Sequence, residues 1–594
     1  MRQGSLSKKD GALPTKGINL PPRVPARQHP SLAVRRRAKS ASRQFRNPIL
    51  SGSHPAPTVC RVDGDFYLAT AALGYFPGFP VFQSRDLVNW RQIGDVPLRS
   101  SSPRLAATLL DSRDVPTLRH DRGLFYLISA DPSGSGSLVR TAADAAGQWS
   151  EPSRIVDARY GASSLLFEDN GGSWWTGYEE TSGKHSGNRP AIWLQAFDRA
   201  GMRLVGERHH LVKAESGPAL DEVPDGIAPP RLYRVNGWYI LLTTESGGAA
   251  VYRSRQIAGP YERDSRNPIL ADRDPASSYA KLVTCDGHGD LVDTPVGEWW
   301  MVLQGCRLCS PYDADGTLLG RETFLVPVGW QDGWPTIAKG YLDHPCPVPN
   351  LPECPYPDAS GHGSFVWTDH FDGPGLERRW SFPGLTQDTP LAHDLISRPG
   401  WLRIRVRPQW LTDRMTTVAV GVQQRHTTFF ATVTLEFVPQ TAMESAGFAL
   451  IKSPDAFFAI EVGRASVSEQ RVVRLLRCRS STIDRPTGNE TTETLSEIAI
   501  TTTRVRLMIE VQGNTCAFYY AEDESPEHWQ CLAGTQDASF LWSRFAGVYL
   551  GLYATSRGTA STHFADFDDF EYRGDETDIS LLTSQQERSA RFRL

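Results

Sequence analysis

The stretch "PAPTVCRVDGDFYLATA", residues 55–71, reads as two apolar strands joined by a tight turn at Asp63-Gly64. Asp-Gly between β-branched and aromatic runs is a strong hairpin signal, because glycine reaches positive φ without a steric penalty. The second strand opens on an aromatic pair, Phe66-Tyr67, and that pair recurs. "DRGLFYLISA" (121–130), "NGGSWWTGYE" (170–179), "VNGWYILLT" (235–243) and "PVGEWWMVLQ" (295–304) repeat the order of glycine turn, aromatic pair and apolar strand. Successive pairs lie 59, 49, 64 and 61 residues apart. Five similar units, each long enough for four short strands, predict a five-bladed β-propeller over residues 46–340. The strand ahead of each turn should face the propeller axis. Ten to twelve residues before the pairs stand Ala56, Val115, Ala162, Ala228 and His288, which are expected to ring the mouth of the central channel.

The chain has 594 residues, 40% hydrophobic and 22% charged, the balance of a globular protein with more than one domain. No apolar run approaches the ~20 residues that a spanning helix needs, so no membrane partner is expected. The net charge of −4 hides an asymmetry: residues 1–47 carry 12 Lys/Arg and one acid, leaving −15 for the rest. Residues 1–45 lack hydrophobic periodicity and read as a disordered basic tail. The tail has no apolar h-region of a secretory signal, so a cytoplasmic location is the default expectation. A nucleic-acid partner is not expected. The nine cysteines leave at least one unpaired, and the Cys306/Cys309 pair lacks a second CxxC to complete a zinc site.

Residues 341–363 are dense in proline and read as a semi-rigid linker. Beyond them, "WLRIRVR", "FFATVTLEFV", "RVRLMIEV" and "AGVYLGLYAT" alternate apolar and polar positions, which predicts an antiparallel β-sandwich over 364–575. Residues 576–594 read as a second tail. The fold class is therefore all-β, a propeller followed by a sandwich. Acids on the first and last sandwich strands, Asp369 in "TDHFDG" and Asp566 in "ADFDDF", are candidate Ca²⁺ ligands, with a solvated sheet edge as the alternative.

"FRNPILSGSHPAPTV", "GYFPGFPVFQSRDLVNW", "GHGDLVDTP", "LLGRETFLVPVGWQDGWP" and "FAGVYLGLYAT" with "ADFDDFEY" together resemble glycoside hydrolase family 43, in its β-xylosidase/α-arabinofuranosidase type with a concanavalin-like sandwich. The resemblance implies inverting hydrolysis of xylosides or arabinosides by a base and an acid ~6.5–9.5 Å apart. It also implies a third carboxylate that tunes the acid, and a xylo- or arabino-oligosaccharide as ligand. Position by position, the carboxylates are missing. The aspartate of the family's Pro-Asp-Pro is Ala56, the modulating aspartate is Ala162, and the acid glutamate is Ala228. A methyl group neither takes nor gives a proton, so the expectation is a hydrolase fold that retains a pentose-glycan pocket with hydrolysis lost or severely impaired.

Within the resemblance, Arg321 matches the arginine that reaches sugar hydroxyls and His288 the axial histidine that in some members helps hold a metal. Leu73 replaces an aromatic at the sugar face, Phe76 belongs to the same loop, and Phe545 matches the sandwich aromatic that closes the pocket. Arg321 pairing with a core acid, and His288 as a satisfied core histidine, are the plainer alternatives. A second functional reading keeps an active glycosidase through displaced acids, Asp225 three residues before Ala228 or Asp114 beside Val115. A third is a scaffold with no sugar function. No cofactor is required by any of these readings.

Overall fold

The computed structural model describes residues 43–574 except 73–74, 98–114, 132–135, 157, 159–162, 169, 180–190, 213–228, 246–247, 272–282, 286–287, 309–316, 338, 343, 355–364, 384–392, 414–418, 466–467, 480–490, 523–527 and 543–545. Each of the five repeats forms an antiparallel sheet whose main path has four strands. The inner hairpins are Thr58–Val62 with Asp65–Ala69, Thr117–Asp121 with Leu124–Ala130, Ser163–Phe167 with Ser173–Glu179, Arg231–Val235 with Trp238–Glu245, and Gly289–Asp293 with Trp299–Arg307. Their turns carry the anticipated left-handed residues, Asp63 at φ 54°, Arg122-Gly123 at 49° and 78°, and Asn236-Gly237 at 49° and 76°.

The recurring aromatic pair has a physical cause. Neighbouring residues on a strand point to opposite faces. Each pair therefore gives one ring to each of the two cores flanking its blade. Phe66 packs in the core between blades five and one, while Tyr67 packs against the core between blades one and two. Phe125 enters that second core and Tyr126 the next. Trp175 and Trp174, Tyr239 and Trp238, and Trp299 and Trp300 continue the alternation until the ring closes on Phe66. Full burial of one such ring contributes on the order of 2–3 kcal/mol.

The ring is also latched by its N-terminal strand. Gln44–Phe45, which the sequence reading placed in the tail, pairs with Cys346–Pro347 inside the Pro-rich segment. Asn47 donates from Nδ2 to the oxygens of Leu325 and Tyr341 and accepts from the Leu325 amide at 2.7 Å.

The second module stacks two antiparallel sheets. One runs from His393–Asp394 through Phe564–Gly574 and Thr428–Glu436 to Gln530–Asp537, and Phe365–Asp369 also pairs with Phe564–Gly574; the other runs from Ala419–Gln423 through Tyr549–Thr555 to Thr491–Ala499. Between them lies one large apolar core that includes Phe448, Phe458, Leu507, Phe518 and Phe567, and Leu318 of the propeller enters it. Among the described residues, no helix is long and apolar enough to cross a membrane.

Candidate functional site

The axis is closed off by one buried carboxylate. Asp290 sits two residues after His288, so both project from the same face of blade five's inner strand. Asp290 Oδ2 accepts from Thr58 Oγ1 at 2.8 Å, Arg119 Nη1 at 2.8 Å and Arg231 Nη1 at 2.7 Å, while Oδ1 accepts from Tyr233 at 2.6 Å. Arg119 also donates to the Leu165 oxygen at 3.3 Å, so this network ties the inner strands of all five blades. Burial alone would raise the Asp290 carboxyl, but Arg119 and Arg231 outweigh it and hold it down at about 2. Asp290 stays ionised, and its acceptor capacity is taken up by these donors.

Above this plug stands the first of the three alanines. Ala56 is 4% exposed and packs with Ala71 and Val115 into a small apolar cluster. Its backbone is left-handed, φ 53°. Alanine adopts that conformation at a cost of roughly 1–2 kcal/mol, whereas aspartate, asparagine and glycine visit it more readily. The conformation is held from two sides. Ala56 N donates to Gln304 Oε1 at 2.9 Å, and Ala71 N donates to the Pro55 oxygen at 2.9 Å. Gln304 N in turn donates to the His288 oxygen at 3.0 Å. The loop around Ala56 therefore keeps a backbone shape suited to aspartate while carrying a methyl group.

His288 is 2% exposed, and burial, then Arg231, then Arg321, depress its imidazole well below the usual range. It is neutral at neutral pH. Arg321 is half-buried and immediately precedes the strand Glu322–Gln331. Its neighbour Glu322 is fully buried and bonded by Arg307 through Nε at 2.7 Å and Nη2 at 2.8 Å, and it accepts the Gly52 amide at 2.8 Å. The Arg321 oxygen accepts the His54 amide at 2.8 Å. Burial, and then Arg425, hold the His54 imidazole at about 3, so it too is neutral.

The sandwich presses on this same loop. A Cβ on Gly52 would lie 2.7 Å from the Gln424 oxygen, and one on Gly547 would lie 2.4 Å from the Leu319 oxygen. Val548 N donates to the Leu318 oxygen at 2.8 Å, and Arg307 Nη2 donates to the Arg425 oxygen at 3.2 Å. Phe382–Pro383 of the sandwich also pairs with Tyr75–Phe76. This places the Phe76 backbone at the junction of the two modules.

Ala56, Arg321 and His288 are thus brought to one end of the axis. Ala162, Ala228, Asp225, Asp114, Leu73, Phe545 and the Phe76 side chain lie outside the described residues. Asp369 and Asp566 are engaged elsewhere. Asp369 accepts from Trp380 Nε1 and the Phe371 amide, both at 2.8 Å, and Asp566 is bonded by Arg403 and Arg398. Among the described residues, the side chains close enough to share a cation are instead His370, Asp568 and Asp569. A β-bulge explains the difference. Thr432 and Thr434 pair with Glu571 and Asp568, so two residues oppose one, and Asp569 turns out at φ 48°. Simple alternation along "ADFDDF" gives no hint of it.

Sequence reasoning missed Gln304, Asp290, Arg119, Arg231 and the Arg307–Glu322 pair. Asp290 carried a usable signal, since an acid two residues from an axial histidine must share its face. Gln304 carried none, because its contact spans 248 residues.

Residues 45–335 match the family described as glycosyl hydrolases family 43, and residues 368–573 match the β-xylosidase C-terminal concanavalin A-like domain. The chain is 31% identical over 543 residues to a xylosidase/arabinosidase of Butyrivibrio fibrisolvens, covering 88% of this chain and 98% of that protein. It is 29% identical to a non-reducing end α-L-arabinofuranosidase of Bacteroides ovatus, covering 90% and 95%. A crystal structure of xylan β-1,4-xylosidase from Bacillus halodurans superimposes with a TM-score of 0.73 at 27% identity, covering 90% of this chain and all of the other. With five inter-blade cores, an axial carboxylate plug and a sandwich docked on the rim, the chain belongs to glycosyl hydrolase family 43.

Proposed function

We propose that this chain binds the end of a xylo- or arabino-oligosaccharide at the rim formed by Ala56, His288 and Arg321, with hydrolysis lost or severely reduced. The observation that carries the reading is the apolar packing of Ala56 with Ala71 and Val115 where the family resemblance puts the base. Inverting hydrolysis needs a carboxylate there to activate water. Arg321, next to the anchored Glu322 and near enough to His288 to lower its imidazole, supports retention of a sugar pocket, since a guanidinium matches vicinal hydroxyls with planar donors. The neutral His288 adds no charge to disfavour an uncharged sugar.

Assay on nitrophenyl xyloside and nitrophenyl arabinofuranoside, paired with calorimetry on xylotriose, tests this. The expected result is binding without turnover, and loss of that binding in Arg321→Ala. Joint restoration by Ala56→Asp, Ala162→Asp and Ala228→Glu should switch turnover on. Turnover by the unaltered chain that vanishes on Asp225→Asn or Asp114→Asn overturns the proposal in favour of displaced acids. Absence of both binding and turnover leaves only a non-sugar scaffold.

A further inference from the structure

A cavity of about 350 Å3 opens on the outer side of blade one, against a blade-two turn and a sandwich loop. It shares none of its lining with the axial rim. Tyr67, Gln83 and Arg91 cross it in a row, one from each of three adjacent strands, because Tyr67 pairs with Gln83 and Gln83 with Arg91. A β-bulge follows, where Phe82 pairs with Gln92 but Val81 with Gly94, so Ile93 is extra. Bulges of this kind re-aim side chains at an edge. They leave Gln92 on the cavity wall, opposite Asp144 of blade two and Arg378 of the sandwich.

The lining is prearranged. Asp95 lies half-buried just behind it, accepting from Gln92 Nε2 at 2.9 Å and lying 3.8 Å from Arg378 Nη1. Gln92 keeps its carboxamide oxygen as an acceptor. Asp144 accepts the Ala146 amide through Oδ1, which fixes its turn and keeps Oδ2 for a ligand. The Tyr67 ring is braced edge-on by Phe125 at 4.8 Å.

We propose that this cavity is a second carbohydrate-binding site, taking one or two uncharged sugar units and independent of the axial rim. Its guanidiniums, from Arg91 and Arg378, share the wall with Asp144, and Asp95 lies 3.8 Å from Arg378, so the lining is of mixed character rather than of one charge. Its phenol and two carboxamides both donate and accept, which is the pattern that ligand hydroxyls require. The volume falls in the range of small-ligand clefts, ~300–1,000 Å3. With Ile93 and Ala146 as its main aliphatic surface, it offers little to an apolar peptide.

Calorimetric titration with xylotriose and cellotriose tests the site. The expected result is binding that Gln83→Ala/Arg91→Ala weakens at least tenfold at one of two sites, while Arg321→Ala removes the other. Gln92→Ala is the second variant, expected to weaken the same site, and the thermal midpoint of Gln83→Ala/Arg91→Ala should match the parent. Unchanged stoichiometry and affinity in Gln83→Ala/Arg91→Ala overturns the proposal, as does displacement of xylotriose from this site by millimolar inorganic phosphate. Binding that survives Arg321→Ala but not Gln83→Ala/Arg91→Ala supports this site and rejects the axial one. No sugar binding in the parent rejects both.

Discussion

The amide of Ala56 is held by the carboxamide of Gln304 at 2.9 Å, across the closure of the ring from blade one to blade five. That bond keeps a buried alanine left-handed. A buried alanine is thus held in a backbone conformation that aspartate, asparagine and glycine adopt more readily.

Gln304→Leu leaves the Ala56 amide buried without its acceptor. An orphaned buried donor costs about 1–3 kcal/mol. Chemical denaturation should show a loss of that size, and a loss near zero would mean that the loop relaxes freely.

Ala56→Gly should stabilise the chain. Removing the Cβ relieves about 1–2 kcal/mol of left-handed strain, offset by part of that through the extra freedom of the unfolded glycine. A net gain near 0.5–1 kcal/mol is expected from this balance. Ala56→Val should move the other way, because a β-branched residue fits that conformation worst. Equal midpoints for all three proteins would refute the strain.

Asp290→Asn leaves Arg119 and Arg231 buried with no counter-charge. Breaking a buried ion pair from one side costs about 3–5 kcal/mol. The loss should appear as a lower thermal midpoint together with faster proteolysis across several blades, since the network around this carboxylate ties all five inner strands.

Asp95 gives a pH dependence of defined sign. Burial, opposed by Arg378 and Gln92, raises its carboxyl from 3.8 to about 7. The folded chain thus holds this proton more tightly than the unfolded chain. Its contribution is fully present below pH 3.8 and is lost as pH rises through about 7. The full span is up to roughly 4 kcal/mol at 1.36 kcal/mol per unit. Asp95→Asn should therefore gain stability relative to the parent between pH 4 and 7, with a constant difference above. Melting curves at pH 5 and pH 8 check this, and a gap that narrows with rising pH would reverse the assignment.

Much of the architecture was legible in the chain because it is local. A Gly turn followed by two aromatic rings is a hairpin whose neighbouring side chains must point to opposite faces, so each blade announces both cores it helps to build. Phe66 and Tyr67 alone state the logic that Trp299 and Trp300 complete. That Ala56 stands between Pro55 and Pro57, where the family resemblance leads one to expect an aspartate, was equally legible, since it needs only its immediate neighbours.

What tertiary structure decided is everything that depends on residues meeting across the ring or between modules. The left-handed Ala56 depends on Gln304, and the neutral state of His288 on its burial and then on Arg231 and Arg321. The acids at the sandwich edge show the same limit, because a bulge at Asp569 regroups Asp568 and Asp569 with His370 and leaves Asp566 to its arginines. Periodicity reports which face a side chain occupies. Hydrogen bonds and charges act at a few ångströms, and only folding sets which distant groups come that close.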